Sequence, residues 1–301
     1  LYSQGCDLYK DKVENLAWDQ DRISEAVITA ENSDVVILCV GLNETLEGEE
    51  GDTGNSDASG DKVDLHLPKV QEELIEKVTA VGKPTIVVLM AGSAIDLNYA
   101  QDNCNGILLA WYPGARGGRA IADLLFGKES PSGKLPITFY KDLEGMPEFT
   151  DYSMKNRTYR YMEKEALYPF GYGLTYSDTC VTEAEVVGEV SAESDIMLKA
   201  TVKNNGTVDT DEVVQVYIKD LDSPLAVRNY SLCGFKRVSL KAGEEKSVEF
   251  TISNKAMNIV DEDGNRYIAG KHFRLFAGVS QPDTRSAELT GHKPAEIEIA
   301  L

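Results

Sequence analysis

The chain changes its hydrophobic periodicity once, and this change constrains the fold more than any other feature. In the first half, short continuous apolar runs alternate with segments whose apolar residues recur at helical spacing. After Tyr176, short segments instead alternate apolar and polar residues between Gly- and Asn-containing turns. Continuous runs are typical of strands covered on both faces, and alternation is typical of strands with one face in solvent. The sequence therefore predicts an α/β domain followed by an all-β domain.

The first half predicts an α/β sandwich with a mostly parallel sheet. Strands are predicted at residues 35–40, 85–90, 106–111 and 135–139, with helices at 21–32, from 68 onward, at 95–100 and at 118–126. Strands that alternate with helices in this order form parallel sheets with helices on both faces. Cys39 lies inside the first apolar run, so we expect it to be a small core residue.

The second half predicts a β-sandwich. Its alternating segments are residues 196–203, 212–220, 233–240, 247–252 and 273–279. Turn sequences such as Asn204-Asn205-Gly206 separate them. The change in pattern predicts two domains, residues 1–178 and 179–301.

Composition excludes several classes of function. The net charge of −20 over 301 residues disfavours binding to nucleic acid or to an anionic membrane surface, but it is compatible with a neutral substrate such as a sugar. The chain has five widely spaced cysteines without a CxxC pair and three scattered histidines. Neither a disulfide framework nor a zinc site is predicted from these residues.

The segment of residues 43–64 is the strongest candidate for chemistry. It follows the end of a predicted buried strand, where ligands bind in open α/β sheets. Its eight acidic residues are Glu44, Glu47, Glu49, Glu50, Asp52, Asp57, Asp61 and Asp64. A solvated acidic loop, a calcium site and a general acid Glu are the alternatives. The EF-hand pattern is absent, and the residues alone leave open which Glu would be the acid.

A family resemblance is visible in the same segment. The run consists of Gly41-Leu42-Asn43, Leu46-Glu47-Gly48-Glu49 and Gly60-Asp61-Lys62-Val63-Asp64-Leu65-His66-Leu67-Pro68. It resembles the acid/base loop of family 3 glycoside hydrolases, in which an "E-x-E-G" segment precedes a "D-R-x-x-L-x-L-P" element. The resemblance implies that Glu49 is the general acid/base, with Glu47 as the main competitor and Glu50 as a third candidate. This chain departs from the pattern by an insertion of about ten residues before Asp61 and by Lys62 in place of Arg.

Other stretches resemble the same family. Residues 111–136 are similar to its "YPG-x-x-GG-x-AIADVLFG-x-x-NPSG-x-LP" motif, with Ala115-Arg116 where Gln-Glu is common. Residues 168–176 match "YPFGYGLSYT" almost unchanged. Residues 202–217 and 232–235 resemble the family's fibronectin-III-like domain.

The resemblance implies the C-terminal portion of a retaining β-glycosidase acting on terminal non-reducing β-linked sugars, as a β-glucosidase or β-xylosidase. The nucleophilic Asp of that family lies on an N-terminal TIM barrel, which needs about 250 residues and does not fit within residues 1–178. We therefore expect the chain alone to be inactive. Residues 1–6 resemble a "Y-x-x-G-C" segment that lies inside the family's second domain, after its first strand, so we expect the first domain to be N-terminally incomplete. The expected partners are a β-linked oligosaccharide or glycoside and that barrel. No metal or cofactor is implied, and a homo-oligomer is left open.

Two alternatives remain at this stage. The same two domains could form a non-catalytic carbohydrate-binding or scaffold module. Separately, Arg157, Tyr159, Arg160 and Tyr161 form a cluster whose aromatic rings could stack on a sugar, although a domain-interface role is the preferred interpretation.

Overall fold

The computed structural model describes residues 1–18, 20–48 and 62–301. The chain divides into two compact units. The first unit contains residues 1–122 and 140–143, and the second contains residues 123–139 and 144–301. The predicted boundary after residue 178 stays a prediction.

The first unit is built around a three-stranded parallel sheet. Its elements are α1 (Asp21–Glu31), β1 (Val36–Gly41), α2 (Lys69–Thr79), β2 (Thr85–Met90), α3 (Asn98–Asn103), β3 (Gly106–Leu109) and α4 (Gly117–Leu125), the last of which continues into the second unit. The strand order is β1-β2-β3, with Val36 opposite Thr85 and Ile86 opposite Gly106. The alternation of strands and helices predicted from the sequence is therefore confirmed, and the three strands end on one edge of the sheet.

The central strand and α2 form the core of this unit. Val87, Val88 and Leu89 of β2 are fully buried. Helix α2 begins after Pro68, a residue that suits a helix start because it lacks an N–H group. Its buried residues recur at helical spacing and include Val70, Leu74, Ile75 and Val78. The helix therefore covers the sheet with one apolar face, as the periodicity predicted.

The edge strand β1 differs from the prediction. Ile37 is 42% exposed and Cys39 is also exposed, whereas Leu38 and Val40 are buried. Side chains alternate between the two faces of a strand, so one face of β1 contacts the core and the other does not. The expectation that both faces are covered, with Cys39 in the core, was wrong because β1 lies at the edge of the three-stranded sheet.

The predicted strand at residues 135–139 is also absent. This segment forms an isolated antiparallel bridge between Phe139 and Tyr168, and Leu135 exchanges backbone hydrogen bonds with Gly171 and Tyr172. Pro136 interrupts the segment and has no N–H to donate to a regular ladder. This apolar run therefore forms an irregular segment with a few backbone hydrogen bonds and not a regular strand.

The second unit contains a β-sandwich. Its strands are β4 (Thr179–Val187), β5 (Ile196–Asn204), β6 (Thr210–Asp220), β7 (Ser231–Leu240), β8 (Glu245–Ile252), β9 (Asn258–Val260), β10 (Arg266–Ile268), β11 (His272–Gly278) and β12 (Ala295–Ala300). The unit also contains the short helices α5 (Thr158–Tyr161) and α6 (Thr284–Thr290) and a 3-10 turn at Asn254–Met257.

One sheet has the order β12-β11-β6-β7 and the other has the order β4-β5-β8, while β9 and β10 form a separate pair. Fully or almost fully buried side chains from both sheets form one core, among them Leu198, Val216, Ile252 and Leu275. Burial alternates along β5, as expected for a sandwich strand. The predicted all-β class of this half is confirmed.

Candidate functional site

The site lies where the three parallel strands of the first unit end. Gly41, the last residue of β1, has a φ of 151° and stands opposite Met90 of β2. A Cβ atom at position 41 would lie 1.8 Å from the Met90 carbonyl oxygen. Only glycine fits this close approach, so the chain can leave the sheet immediately beside the end of β2.

A tight turn follows β1 and presents Glu47. The Asn43 carbonyl accepts from the N–H groups of Leu46 at 3.0 Å and Glu47 at 2.9 Å. The Asn43 side-chain oxygen accepts from the Thr45 N–H at 3.0 Å and from the Thr45 hydroxyl at 2.7 Å. Asn favours such turns because its side chain bonds backbone groups two residues ahead. The turn therefore fixes the backbone on which Glu47 is mounted.

Among the described residues, three donate hydrogen bonds to the Glu47 carboxylate. The Gly92 N–H donates to Oε2 at 2.7 Å, the Ser93 hydroxyl donates to Oε1, and the Tyr112 hydroxyl donates to Oε2. Gly92 and Ser93 lie two and three residues after the end of β2, and Tyr112 lies three residues after the end of β3. Glu47 follows β1, and through these hydrogen bonds it connects the end of β1 to the ends of β2 and β3.

These contacts determine the ionisation of Glu47. Partial burial raises its pKa, but the hydrogen bonds from Ser93, Tyr112 and Gly92, together with the Lys62 ammonium, outweigh burial and hold the pKa below its ordinary value. Hydrogen bonds to a carboxylate favour its charged form. Glu47 is therefore an ionised acceptor near neutral pH.

Lys62 is held against the same backbone segment. Its Nζ donates to the Ser93 hydroxyl oxygen at 3.0 Å and to the Ala94 carbonyl at 3.2 Å. Burial lowers the pKa of Lys62, and the negative charges of Glu47 and Asp64 partly offset this effect. Lys62 stands where the resembling family has Arg, and its ammonium group lowers the pKa of Glu47.

Trp111 has an uncommon backbone conformation, and the next residue, Tyr112, has a hydroxyl group with a shifted pKa. Trp111 has a φ of 50°, a left-handed conformation that is uncommon for a bulky residue. Tyr112 is 51% exposed, and burial of part of its ring together with hydrogen bonding to Glu47 raises the pKa of its hydroxyl. The Tyr112 hydroxyl therefore stays protonated and acts as a donor.

A cleft of about 380 Å³ adjoins these residues. Its lining includes Gly41, Asn43, Glu44, Met90 and Tyr112, together with residues 4 and 6–8 near the N-terminus. Within the described part of the chain, no group of three or more His, Cys, Asp or Glu side chains could hold a metal ion. Of the helices in that part, none has the length and apolar character needed to cross a membrane.

The predicted acid/base candidates are only partly described. Glu47 is placed as above, whereas Glu49 and Glu50 lie outside the described residues. The structure thus gives the surroundings of the competitor and leaves the preferred residue as a prediction. Sequence reasoning did not identify Ser93 or Tyr112, although both follow predicted strands whose ends meet at one edge of a parallel sheet.

The Arg/aromatic cluster has a structural role in the second unit. The Tyr159 ring stacks on Phe170 with centroids 4.3 Å apart, and it contacts Tyr217 and Tyr230. Its hydroxyl accepts from the Leu232 N–H at 3.0 Å. Tyr159 therefore packs within the second unit against residues of the β-sandwich, which favours a structural role over sugar stacking.

Comparison with known proteins identifies the family. The glycosyl hydrolase family 3 C-terminal domain matches residues 4–176, and a fibronectin type III-like domain matches residues 212–281. The first match covers more than half of the chain, and it agrees with a parallel α/β unit whose candidate site lies at the strand ends. The chain belongs to glycoside hydrolase family 3, as the resemblance implied.

Individual relatives agree with this assignment. The chain is 39% identical over 270 residues to a xylan 1,4-β-xylosidase of Xylanibacter ruminicola, covering 88% of this chain and 31% of the relative. It is 34% identical over 297 residues to a β-xylosidase of Formosa agariphila, covering 96% and 39%. The chain therefore spans between three and four tenths of the length of these relatives.

Solved structures give the same result for the fold. A β-glucosidase from Erythrobacter marinus superposes with a TM-score of 0.82 at 31% identity, covering all of this chain and 41% of that one. A family 3 β-glucosidase from Bifidobacterium adolescentis superposes with a TM-score of 0.83 at 30% identity, covering 99% and 43%. The predicted fold class, an α/β domain followed by a fibronectin-III-like sandwich, is confirmed.

Proposed function

We propose that this chain is the C-terminal portion of a retaining β-glycosidase and supplies the general acid/base, Glu49. The nucleophilic Asp would lie on an N-terminal TIM barrel of the same enzyme. The observation that carries the assignment is the environment of Glu47. This nearest competitor accepts hydrogen bonds from Gly92, Ser93 and Tyr112 at the ends of the sheet strands.

A general acid must keep its proton until the glycosidic oxygen accepts it, which requires a raised carboxyl pKa. Glu47 has the opposite property, because its hydrogen bonds and Lys62 lower its pKa. Its oxygens are also occupied by donors from the protein. Glu47 is therefore poorly suited to proton transfer, and the role falls to Glu49 as the family pattern implies, with Glu50 as the competitor.

The proposed chemistry needs two carboxyl groups about 5–5.5 Å apart in a retaining enzyme. The barrel Asp attacks the anomeric carbon while Glu49 donates its proton to the departing oxygen. Glu49, now ionised, removes a proton from the water that cleaves the glycosyl-enzyme and so regains its starting state. This cycle balances protons without a metal or cofactor.

The substrate class follows from the relatives. Those named above are β-xylosidases and β-glucosidases. A terminal non-reducing β-xylosyl or β-glucosyl residue is neutral, so it does not oppose the net charge of −20. We therefore propose β-xylosides and β-glucosides as the substrates.

The test uses the complete enzyme, which is this chain joined to its N-terminal barrel. Glu49→Ala is assayed on an aryl glycoside with a good leaving group and on an unactivated disaccharide, with and without azide. The expected result is near-normal glycosylation by the aryl substrate, slow deglycosylation, rescue by azide and loss of disaccharide hydrolysis. Wild-type behaviour of Glu49→Ala, with azide rescue of Glu50→Ala instead, would transfer the role to Glu50.

A second measurement tests the division of roles. The purified 301-residue chain is expected to show no turnover of an aryl β-glycoside, because it lacks the nucleophile. Turnover that disappears in Glu49→Gln would contradict this expectation. If the complete enzyme is inactive but the chain binds sugars, the non-catalytic module is the correct interpretation.

A further inference from the structure

Residues 62–67, here called the connecting segment, precede Pro68 and α2 and lie against the backbone that follows β2. Lys62 Nζ donates to the Ala94 carbonyl at 3.2 Å. The Leu65 carbonyl accepts from the Asp96 N–H at 2.6 Å. Contacts near both of its ends therefore hold the connecting segment in place.

His66 adds a contact that depends on charge. Its Nδ1 lies 2.9 Å from Glu72 Oε1 on α2 and 4.0 Å from Asp96 Oδ2. Its backbone N–H donates to Asp64 Oδ1 at 2.9 Å, and the Asp64 charge also acts on the ring. The imidazole is thus surrounded by carboxylates from its own segment, from α2 and from the segment after β2.

Helices place the two carboxylates nearest to the ring. Glu72 belongs to the first turn of α2. Asp96 Oδ1 accepts from the Asn98 N–H at 2.9 Å and from the Asn98 side-chain amide at 2.7 Å, which ties Asp96 to the start of α3. His66 is the member of this group that belongs to the connecting segment, so its charge acts on how firmly that segment is held.

We propose that His66 is a pH-sensitive switch, which fixes the connecting segment to α2 and to the backbone after β2 when its ring is protonated and loosens it when the proton is lost. A protonated ring attracts Glu72, Asp96 and Asp64 together. A neutral ring can keep the hydrogen bond to Glu72 through Nδ1–H, but it loses this attraction. The inference does not depend on which glutamate is the acid/base.

The switch lies next to the candidate site. Lys62 of the connecting segment donates to the Ser93 hydroxyl oxygen at 3.0 Å, and the Ser93 hydroxyl donates to Glu47. The Lys62 ammonium also lowers the pKa of Glu47. A looser connecting segment would weaken both effects, so the protonation of His66 is coupled to the surroundings of Glu47.

The direction of the pH dependence follows from the carboxylates. The hydrogen bond to Glu72 raises the pKa of His66 above its ordinary value of 6.5, as do the charges of Glu72, Asp64 and Asp96, while burial opposes them. A group whose pKa is raised by folding stabilises the folded state fully below its unfolded-state pKa. The contribution is therefore complete below about pH 6.5 and is lost as the pH rises through the higher folded-state pKa. Lys62 also titrates on the alkaline side, because burial lowers its pKa.

The first experiment measures amide hydrogen exchange in the 301-residue chain at pH 5.5 and pH 8.5. The Asp96 N–H reports on the connecting segment because it donates to the Leu65 carbonyl. His66 is exposed, so we expect the protection factor of this amide to fall about 2- to 5-fold at the higher pH, as for a surface charge pair. The Leu42 N–H, which donates to the Met90 carbonyl at 2.8 Å, should keep its protection.

The variant His66→Gln separates the titration of His66 from that of Lys62, which it retains. Protection of the Asp96 amide in this variant should stay close to the wild-type value at pH 8.5 throughout the range. An equal fall in the wild type and in His66→Gln would assign the effect to Lys62 and overturn the proposal.

A second measurement tests the contact itself and does not require His66→Gln to fold. Proton NMR of the histidine rings should show a lower His66 pKa in Glu72→Gln than in the wild type. Glu76→Gln removes the same charge from an exposed position one turn further along α2, and it should leave the His66 pKa close to the wild-type value. An unchanged His66 pKa in Glu72→Gln would overturn the switch, while the proposed glycosidase function, which is tested through Glu49, would be unaffected.

Discussion

Lys134 and Glu212 form an ion pair inside the second unit, with Nζ 2.8 Å from Oε1 and side-chain exposures of 8% and 2%. Both groups also make further hydrogen bonds. Lys134 donates to the Gly173 carbonyl at 2.6 Å, and Glu212 accepts from the Thr179 hydroxyl at 2.6 Å. Lys134 belongs to the "PSG-x-LP" motif and Glu212 to β6, so this pair ties a family motif to the sandwich.

Removal of one partner should strongly destabilise this unit. Lys134→Met leaves the Glu212 charge buried without its cation, so we expect a loss of about 3–5 kcal/mol in the free energy of unfolding, measured by urea denaturation. Lys241→Met is the matched control. Lys241 pairs with Asp209 at 2.7 Å, but both side chains are exposed, so its loss should be much smaller. Equal midpoints for the two variants would contradict the importance of the buried pair.

The last residue of β1 is predicted to tolerate no side chain. Gly41→Ala would place Cβ 1.8 Å from the Met90 carbonyl oxygen. The clash could be relieved only if β1 and β2 moved apart, and they would then lose the hydrogen bonds that pair them. We expect little folded protein, or a markedly lower Tm, in expression and thermal unfolding tests. Gly118→Ala is the control, since Gly118 lies in α4 with open space around it. That change should cost nothing or stabilise the helix by about 0.5–1 kcal/mol.

Gln71 is predicted to hold the end of β1 in place. Its side chain accepts from the Gly41 N–H at 2.7 Å and donates to the carbonyls of Gly41 at 2.7 Å and Leu8 at 2.6 Å. Gln71→Met preserves the volume but leaves these buried backbone groups unpaired, at a cost of about 1–3 kcal/mol. Amide hydrogen exchange at Gly41 should become faster, whereas the exposed Glu76→Met on the same helix should leave it unchanged.

Hydrophobic periodicity is sufficient to locate some elements of this fold and insufficient for others. It identified β2 and α2 closely, because a buried strand and a one-faced helix have distinct apolar spacings. It missed β4 and β12. Both strands carry alternate glutamates, which are common in strands that have one face in solvent. It also missed α6, although Asp283 caps its start and Gly291 ends it, because the helix is only seven residues long.

The candidate site was less predictable than the fold. Glu47 could be recognised as a candidate from the acidic segment, but its partners lie 45 and 65 residues further along the chain. Their meeting depends on the lengths and register of three parallel strands, which local periodicity does not determine. The acidic segment therefore identified Glu47 as a candidate for proton transfer, which stays a prediction, but it did not identify the residues that donate hydrogen bonds to it.

The ionisation of Glu47 predicts how stability depends on pH. Its pKa in the folded state lies below the ordinary value of 4.5, so the unfolded chain binds the proton more readily. The stabilising contribution is therefore complete above pH 4.5 and is lost as the pH falls through the lower folded-state pKa. Thermal unfolding of the wild type and Glu47→Gln should show the largest Tm difference near neutral pH and a narrowing difference below about pH 4.5. Glu44→Gln, measured in parallel, should show no comparable narrowing, and a difference that stays constant from pH 7 to pH 3 would mean that the Glu47 contacts do not depend on its charge.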